Sequence, residues 1–152
     1  MVLTANLVGA HLFAWVAANT QMFQPEVRDA MSSLAKDAIR VTFGAAILRG
    51  IFAGWLIALV VWMLAAVDSG RIAIILILTY IGLAHLTHII AGAVEVLFLL
   101  MAGAASWLHV AWGYLLPTLI GNIIGGSSLT AALNHAQVVA GMAGKKKSRL
   151  AV

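Results

Sequence analysis

Two histidines and a glutamate interrupt a long apolar part of the sequence. His85, His88 and Glu95 all fall within residues 72–102, where most other side chains are hydrophobic or small. A neutral imidazole donates one hydrogen bond and accepts another, and it titrates near physiological pH. An ionisable group at bilayer depth costs at least ~2.5 kcal/mol and normally faces a cavity or a partner. His88 is therefore the first candidate for a pore or substrate-contacting residue, with His85 as a second. Glu95 is as well explained by packing.

A second unusual cluster lies in PTLIGNIIGGSSLTAALNHAQ, residues 117–137. Gly121 and Gly125 are four residues apart, so they share one helix face, and Gly126 widens that smooth strip. Such small-residue patterns let two membrane helices approach closely, which predicts helix packing. Asn122 needs hydrogen-bond partners in hydrocarbon, and the sequence leaves packing and pore lining equally open for it.

The composition is that of an integral membrane protein. Hydrophobic residues make up 63% of the 152 residues, charged residues only 9%, and the mean hydropathy is +1.04. The absence of cysteine excludes disulfides and thiolate metal ligands. No phosphate-binding loop, activated nucleophile or nucleic-acid-binding patch stands out, so we expect neither an enzyme nor a bound cofactor. A b-type haem protein, with histidines as axial ligands, is a weaker alternative.

Four apolar stretches predict an all-α, polytopic membrane bundle, with spans at about 2–19, 47–67, 72–102 and 117–140. The third stretch would measure ~45 Å as one helix, well beyond a hydrocarbon core of ~30 Å. We therefore expect it to be broken near His88. Residues 25–43 carry apolar side chains at helical spacing among charged ones, which predicts an amphipathic helix at the outer interface.

The basic residues of the chain's last segment, 145–152, predict its orientation. Lys145, Lys146, Lys147 and Arg149 follow the last apolar stretch, and such clusters stay in the cytoplasm. We therefore expect residues 1–144 to form a membrane domain and residues 145–152 a cytoplasmic basic tail. The sequence opens inside an apolar run, and we expect the chain to be truncated or partial.

Three segments together resemble the formate/nitrite transporter family. They are RGIFAGWLIALVVWM (49–63), THIIAG (87–92) and LPTLIGNIIGG (116–126). The resemblance implies an aquaporin-like channel fold of six spans in two inverted repeats, pentameric assembly, and a match of this chain to spans three to six. It places His88 at the central pore histidine.

The residues around His88 depart from the family pattern. Leu86, Thr87 and Gly92 stand where the family usually has phenylalanine, glutamate and asparagine. The chain is in this respect more similar to a less-characterised inner-membrane branch than to formate or nitrite channels.

The leading hypothesis is a channel or transporter for small monovalent anions or their weak acids. Its predicted pore residues are His88, Thr87, Leu86, Asn122 and His85. The main alternative is a membrane fragment or subunit that does not transport without a partner half.

Overall fold

Helices are the only regular secondary structure in the computed structural model, which describes residues 1–66 and 71–150. They are α1 (Val2–Asn19), α2 (Pro25–Ile39), α3 (Phe43–Ala66), α4 (Arg71–Leu83), α5 (Ala91–Met101), α6 (Trp107–Val110), a π-helical turn (Ala111–Leu115) and α7 (Leu116–Leu150). Three segments are long and apolar enough to cross a membrane: α1, α3 and the run from α6 into α7. The predicted all-α membrane bundle is confirmed.

The third predicted span consists of two half-helices. α4 has 13 residues and α5 has 11, which correspond to about 20 Å and 17 Å, so neither alone crosses a hydrocarbon core. The connection between them, residues 84–90, contains both His85 and His88. The predicted break near His88 is confirmed. The predicted end of the preceding span, residue 67, lies outside the described residues.

The apolar core forms where α1 and α2 pack against α5. Alanines on one face of α1, among them Ala14 and Ala17, are fully buried and let α5 approach closely. α2 contributes Ala35 and Ile39 to the same core. The predicted amphipathic helix at 25–43 is thus a shorter helix and a connector, with one face buried against protein. Its place at the outer interface stays a prediction.

The second close contact, between α3 and α7, depends on glycine. A Cβ on Gly121 would overlap the backbone carbonyl of Ile47, and a Cβ on Gly125 would overlap that of Ile51. Gly126 is less constrained, because its Cβ would meet only the Gly54 oxygen at 3.9 Å. The helices therefore touch backbone to backbone, as small residues allow in membranes.

The last helical run starts earlier than residue 117, the predicted beginning of the fourth span. It is helical from Trp107 onward, so Pro117 lies inside a helix and not at its first turn. Proline cannot donate to the carbonyl four residues back, and its ring crowds that carbonyl. The π-helical turn just before it, closed by a bond from the Leu116 N–H to the Ala111 oxygen, accommodates the proline. The backbone stays helical to Leu150; residues 151 and 152 of the predicted tail lie outside the described residues.

Candidate functional site

The break begins with a capped end of α4. The Leu86 N–H donates to the Ile81 oxygen (3.0 Å) and the His85 N–H donates to the Gly82 oxygen (3.1 Å). These two bonds form a Schellman motif with His85 at the position that usually requires glycine. His85 accordingly has a φ of +49°, the one positive φ of a non-glycine residue in the described chain. Its exposed side chain lines the cavity described below.

Asn122 of α7 fixes the connection that follows. Its side-chain nitrogen donates to the Gly50 oxygen of α3 (3.0 Å) and to the Thr87 oxygen (3.0 Å). Its side-chain oxygen accepts from the Ile89 N–H at 2.9 Å. The buried Thr87 hydroxyl adds a bond to the Ala46 oxygen at 2.8 Å. Two polar groups of the non-helical backbone, the Thr87 oxygen and the Ile89 N–H, are therefore satisfied by α7, as irregular backbone in a membrane requires.

His88 stands at the beginning of α5. Its carbonyl accepts the first helical bond, from the Gly92 N–H at 2.9 Å. Its Nδ1 also accepts a long bond from the Ala91 N–H, at 3.4 Å. A nitrogen that accepts a hydrogen bond carries no proton, so the neutral ring has its proton on Nε2. Within the described part of the chain, the half-buried imidazole thus has one N–H donor without a hydrogen-bond partner.

A cavity of about 860 Å³ opens beside this ring. It lies between α2, α3, both half-helices and the π-helical turn. Its lining includes the apolar side chains of Ile57, Leu78, Ile81, Leu86 and Ile90, and the polar or charged side chains of Asp37, Arg49, His85, Thr87, His88, Glu95 and Tyr114. A mostly apolar cavity with a few convergent polar groups is the usual form of a small-molecule site.

Charged groups of both signs surround the cavity. Glu95 contributes a carboxyl group from α5, and Arg49 contributes a cation from α3. Asp37 lies 3.9 Å from Arg40, but both side chains are exposed, so this pair stabilises little. The fixed charges of the lining, two carboxylates and one guanidinium, therefore do not by themselves favour an anion.

Two residues that were not among the predicted pore residues complete the site. Tyr114, in the π-helical turn, is 3% exposed, and its hydroxyl donates to the His88 carbonyl at 3.5 Å. A Cβ on Gly92 would overlap that hydroxyl, so the missing side chain makes room for the tyrosine. The sequence gives only two indications of this pairing of Tyr114 with Gly92: the proline three residues after Tyr114, and the glycine itself, four residues after His88.

The structure groups some of the predicted site residues and separates others. Four of them line the cavity: His85, Leu86, Thr87 and His88. Asn122 is not among the lining residues, and its amide is occupied by the three bonds above. These contacts favour its packing role. Gly121 and Gly125 serve the contact between α3 and α7.

A helical membrane bundle with an interrupted span, whose break carries a polar residue beside a cavity, has the architecture of membrane transport proteins. The sequence profile of the formate/nitrite transporter family matches residues 1–136. The chain belongs to this family.

A similar protein is the inner membrane protein YfdC of Escherichia coli (strain K12). It is 37% identical to this chain over 149 residues, which are 97% of the chain and 48% of YfdC. The chain therefore spans about half the length of this relative. No solved structure matches the chain.

Proposed function

We propose that this chain forms the His88-bearing part of a pathway for small monovalent anions, or their weak acids, across the bacterial inner membrane. The observation that carries the proposal is the position of His88. Its ring lies at a helix break, beside a cavity with mostly apolar walls, and keeps its Nε2–H free. Membership of a transporter family supports the same activity.

The geometry suits a weakly basic anion. The start of α5 directs the positive end of its dipole toward the break, which favours negative charge there. The His88 Nε2–H offers the approaching anion a hydrogen bond, and the protonated ring can transfer a proton to it. Apolar wall residues such as Ile57 and Leu78 disfavour strongly hydrated ions. Leu86, Thr87 and Gly92 depart from the family pattern. The transported anion is therefore to be identified by testing a panel of anions.

The test is flux in proteoliposomes made with the purified chain. A panel of small monovalent weak-acid anions is offered, and uptake is followed by radiolabel and by an internal pH dye. The His88→Asn variant retains a hydrogen-bonding side chain but cannot relay a proton, so we expect its uptake to lose the wild-type pH dependence. His135→Asn, at an exposed position of α7, is the matched control. An identical pH profile for His88→Asn and wild type removes the proposed role of His88.

One set of observations favours a second function, that of a subunit needing a partner half. α4 packs mainly against α3 and exposes a row of large apolar side chains, including Ile72, Ile75 and Leu76. The polar cavity is also open in the single chain. Flux that appears only after co-reconstitution with a partner would support this function, whereas flux from the chain alone would exclude it. Assembly as a pentamer and a cytoplasmic carboxyl end are part of the same proposal.

A further inference from the structure

A second cavity, of about 590 Å³, lies where α1, α2 and α5 meet at one end of the bundle. Its wall includes the connection between α1 and α2, the first turns of α2, and Phe98 and Ala102 at the end of α5. Within the described residues, none that lines this cavity also lines the cavity beside His88. The second cavity is therefore a candidate binding site separate from the proposed pathway.

The second cavity lies at the level expected for lipid headgroups. α1 has 18 residues, which correspond to about 27 Å of helix, close to the thickness of a hydrocarbon core. We predict that α1 crosses the membrane, so its last turn lies near the headgroups of one leaflet. α1 ends at Asn19 and α5 ends at Met101, and the cavity lies beside both ends. A ligand of this cavity would therefore come from the interface between lipid and water.

Arg28 is held in the wall of this cavity by the end of α1. Its Nη2 donates to the Ala18 oxygen at 2.6 Å, which satisfies a carbonyl in the last turn of α1 that would otherwise need another partner. The other N–H donors of the guanidinium have no hydrogen-bond partner among the described residues. The planar guanidinium matches the geometry of phosphate oxygens, with which it can form two parallel bonds. The fold therefore orients Arg28 and leaves donors available for a phosphate group.

Asp29, the next residue of α2, contributes the opposite charge to the same cavity. The one ion pair within the described residues joins Asp37 to Arg40, so neither Arg28 nor Asp29 is paired there. Neutral hydrogen-bonding side chains complete the polar part of the lining: Gln21, Gln24 and Ser32. A cation and an anion presented side by side are complementary to a zwitterion, in which a phosphate and an ammonium group are close together.

The rest of the lining is apolar. Phe98 of α5 is only 2% exposed and belongs to the core. Phe23 is half-buried, with its ring packed edge-on against that of Phe13 at a centroid distance of 6.2 Å, whereas the neighbouring Met22 is exposed. An apolar surface beside charged groups suits the part of a lipid where the headgroup joins the acyl chains. A free phosphate ion would leave this surface in contact with water.

We propose that this second cavity binds one phospholipid whose headgroup carries both a phosphate and an ammonium group, as phosphoethanolamine does. The phosphate accepts hydrogen bonds from Arg28, the ammonium group faces Asp29, and the first acyl carbons contact Met22 and Phe98. The bound lipid connects α1, α2 and α5 at the edge of the apolar core. It therefore stabilises the fold, whether or not the chain transports an anion.

The experiment measures the affinity of the purified chain in detergent for phosphatidylethanolamine and, separately, for phosphatidylglycerol, by native mass spectrometry. Arg28→Gln removes the guanidinium, and Ser32→Leu fills the cavity but leaves the bond from Arg28 to Ala18 intact. We expect each to weaken phosphatidylethanolamine binding about tenfold or more, since a charge-assisted hydrogen bond is lost. Asp29→Asn should weaken it about two- to fivefold, as for an exposed ion pair, and leave phosphatidylglycerol binding unchanged. The matched control is Arg40→Gln, an exposed arginine of the same region that does not line the cavity.

Equal affinity of the wild type, Arg28→Gln and Ser32→Leu for phosphatidylethanolamine would overturn the proposed site. Equal affinity of the wild type for the two lipids, with no change in Asp29→Asn, would overturn the zwitterionic headgroup. Inorganic phosphate and soluble phosphoethanolamine test the source of the phosphate, because displacement of the lipid by either would mean that the ligand is a soluble anion. Thermal unfolding without added lipid shows whether Arg28→Gln is folded, and Ser32→Leu decides the question if it is not.

Discussion

His85 has a backbone conformation that only glycine adopts at no cost. Its φ of +49° brings the Cβ close to the neighbouring carbonyl, which costs an L-residue about 1 kcal/mol. Gly103 occupies the equivalent place after α5, with a φ of +70° and the same pair of bonds, from its own N–H and that of Ala104. The carboxyl ends of the two half-helices thus use one motif with different residues.

We therefore expect His85→Gly to raise the free energy of unfolding by about 0.5–1 kcal/mol, since it relieves this conformation. Gly103→Ala should lower it by about 1 kcal/mol for the opposite reason. Unfolding in mixed detergent micelles measures both changes. If His85→Gly destabilises the protein, the imidazole contributes contacts that outweigh its backbone cost. A stabilised variant with reduced flux would show that the strain at position 85 has a functional use.

Asn122 offers a second prediction at the scale of one side chain. Its three bonds connect α7, α3 and the break, and side-chain hydrogen bonds in membrane proteins average about 0.6 kcal/mol each. Asn122→Ala should therefore cost about 2 kcal/mol of stability. It should also speed hydrogen exchange at the Ile89 amide, which loses its acceptor. Asn134→Ala, on an exposed part of the same helix, should change neither, and equal effects at the two positions would contradict the assigned role.

At the scale of helices, α3 and α7 are held together by backbone contact. Gly125 and Gly126 are adjacent in α7 but differ sharply in whether the contact leaves room for a side chain. A Cβ at position 125 overlaps the Ile51 carbonyl, whereas one at position 126 has ordinary van der Waals distance to its nearest neighbour. Gly125→Ala should therefore destabilise the protein by about 1–3 kcal/mol, the usual cost of overpacking. Gly126→Ala should be neutral or slightly stabilising, because alanine is the better helix former.

Unfolding measurements on the two alanine variants decide this point. Both substitutions add one methyl group to the same helix, so differences in propensity and hydrophobicity cancel between them. Equal destabilisation would mean that α7 has a different rotation against α3. Destabilisation of the Gly126→Ala variant alone would mean that α7 contacts α3 through the face that carries Gly126, and not through the face that carries Gly125.

The half-helices and the glycine contact were predictable because each follows from a quantity visible in the sequence. The excess length of residues 72–102 favours a break, and glycines spaced four apart allow a close neighbour. The π-helical turn was not predictable from these rules, because Pro117 is equally compatible with the first turn of a helix. The pairing of Gly92 with Tyr114 depends on that turn, so it was missed as well. The burial of α2 against α5 depends on tertiary packing, which amphipathic spacing alone does not specify.

At the scale of the whole molecule, the helix order determines which ends share a side of the membrane. We predict that α1 and α3 each cross the membrane once, that α4 and α5 together cross once, and that the run from α6 into α7 crosses last. Four predicted crossings would place the beginning of α1 and the end of α7 on one side, and the basic residues at 145–149 predict that this side is the cytoplasm. The connection between α1 and α2 then faces outward.

The absence of cysteine makes this orientation directly testable, because one introduced thiol is the only reactive site. Gln24→Cys, at the exposed beginning of α2, should react with a membrane-impermeant maleimide in intact spheroplasts. Ser148→Cys should react only after the membrane is permeabilised. The reverse labelling pattern would mean that the protein has the opposite orientation in the membrane, with the α2 side of the cavity facing the cytoplasm. Labelling of both positions from outside would contradict four crossings. The position of His88 deep in the membrane would then be wrong as well, because it follows from α4 and α5 forming one span together.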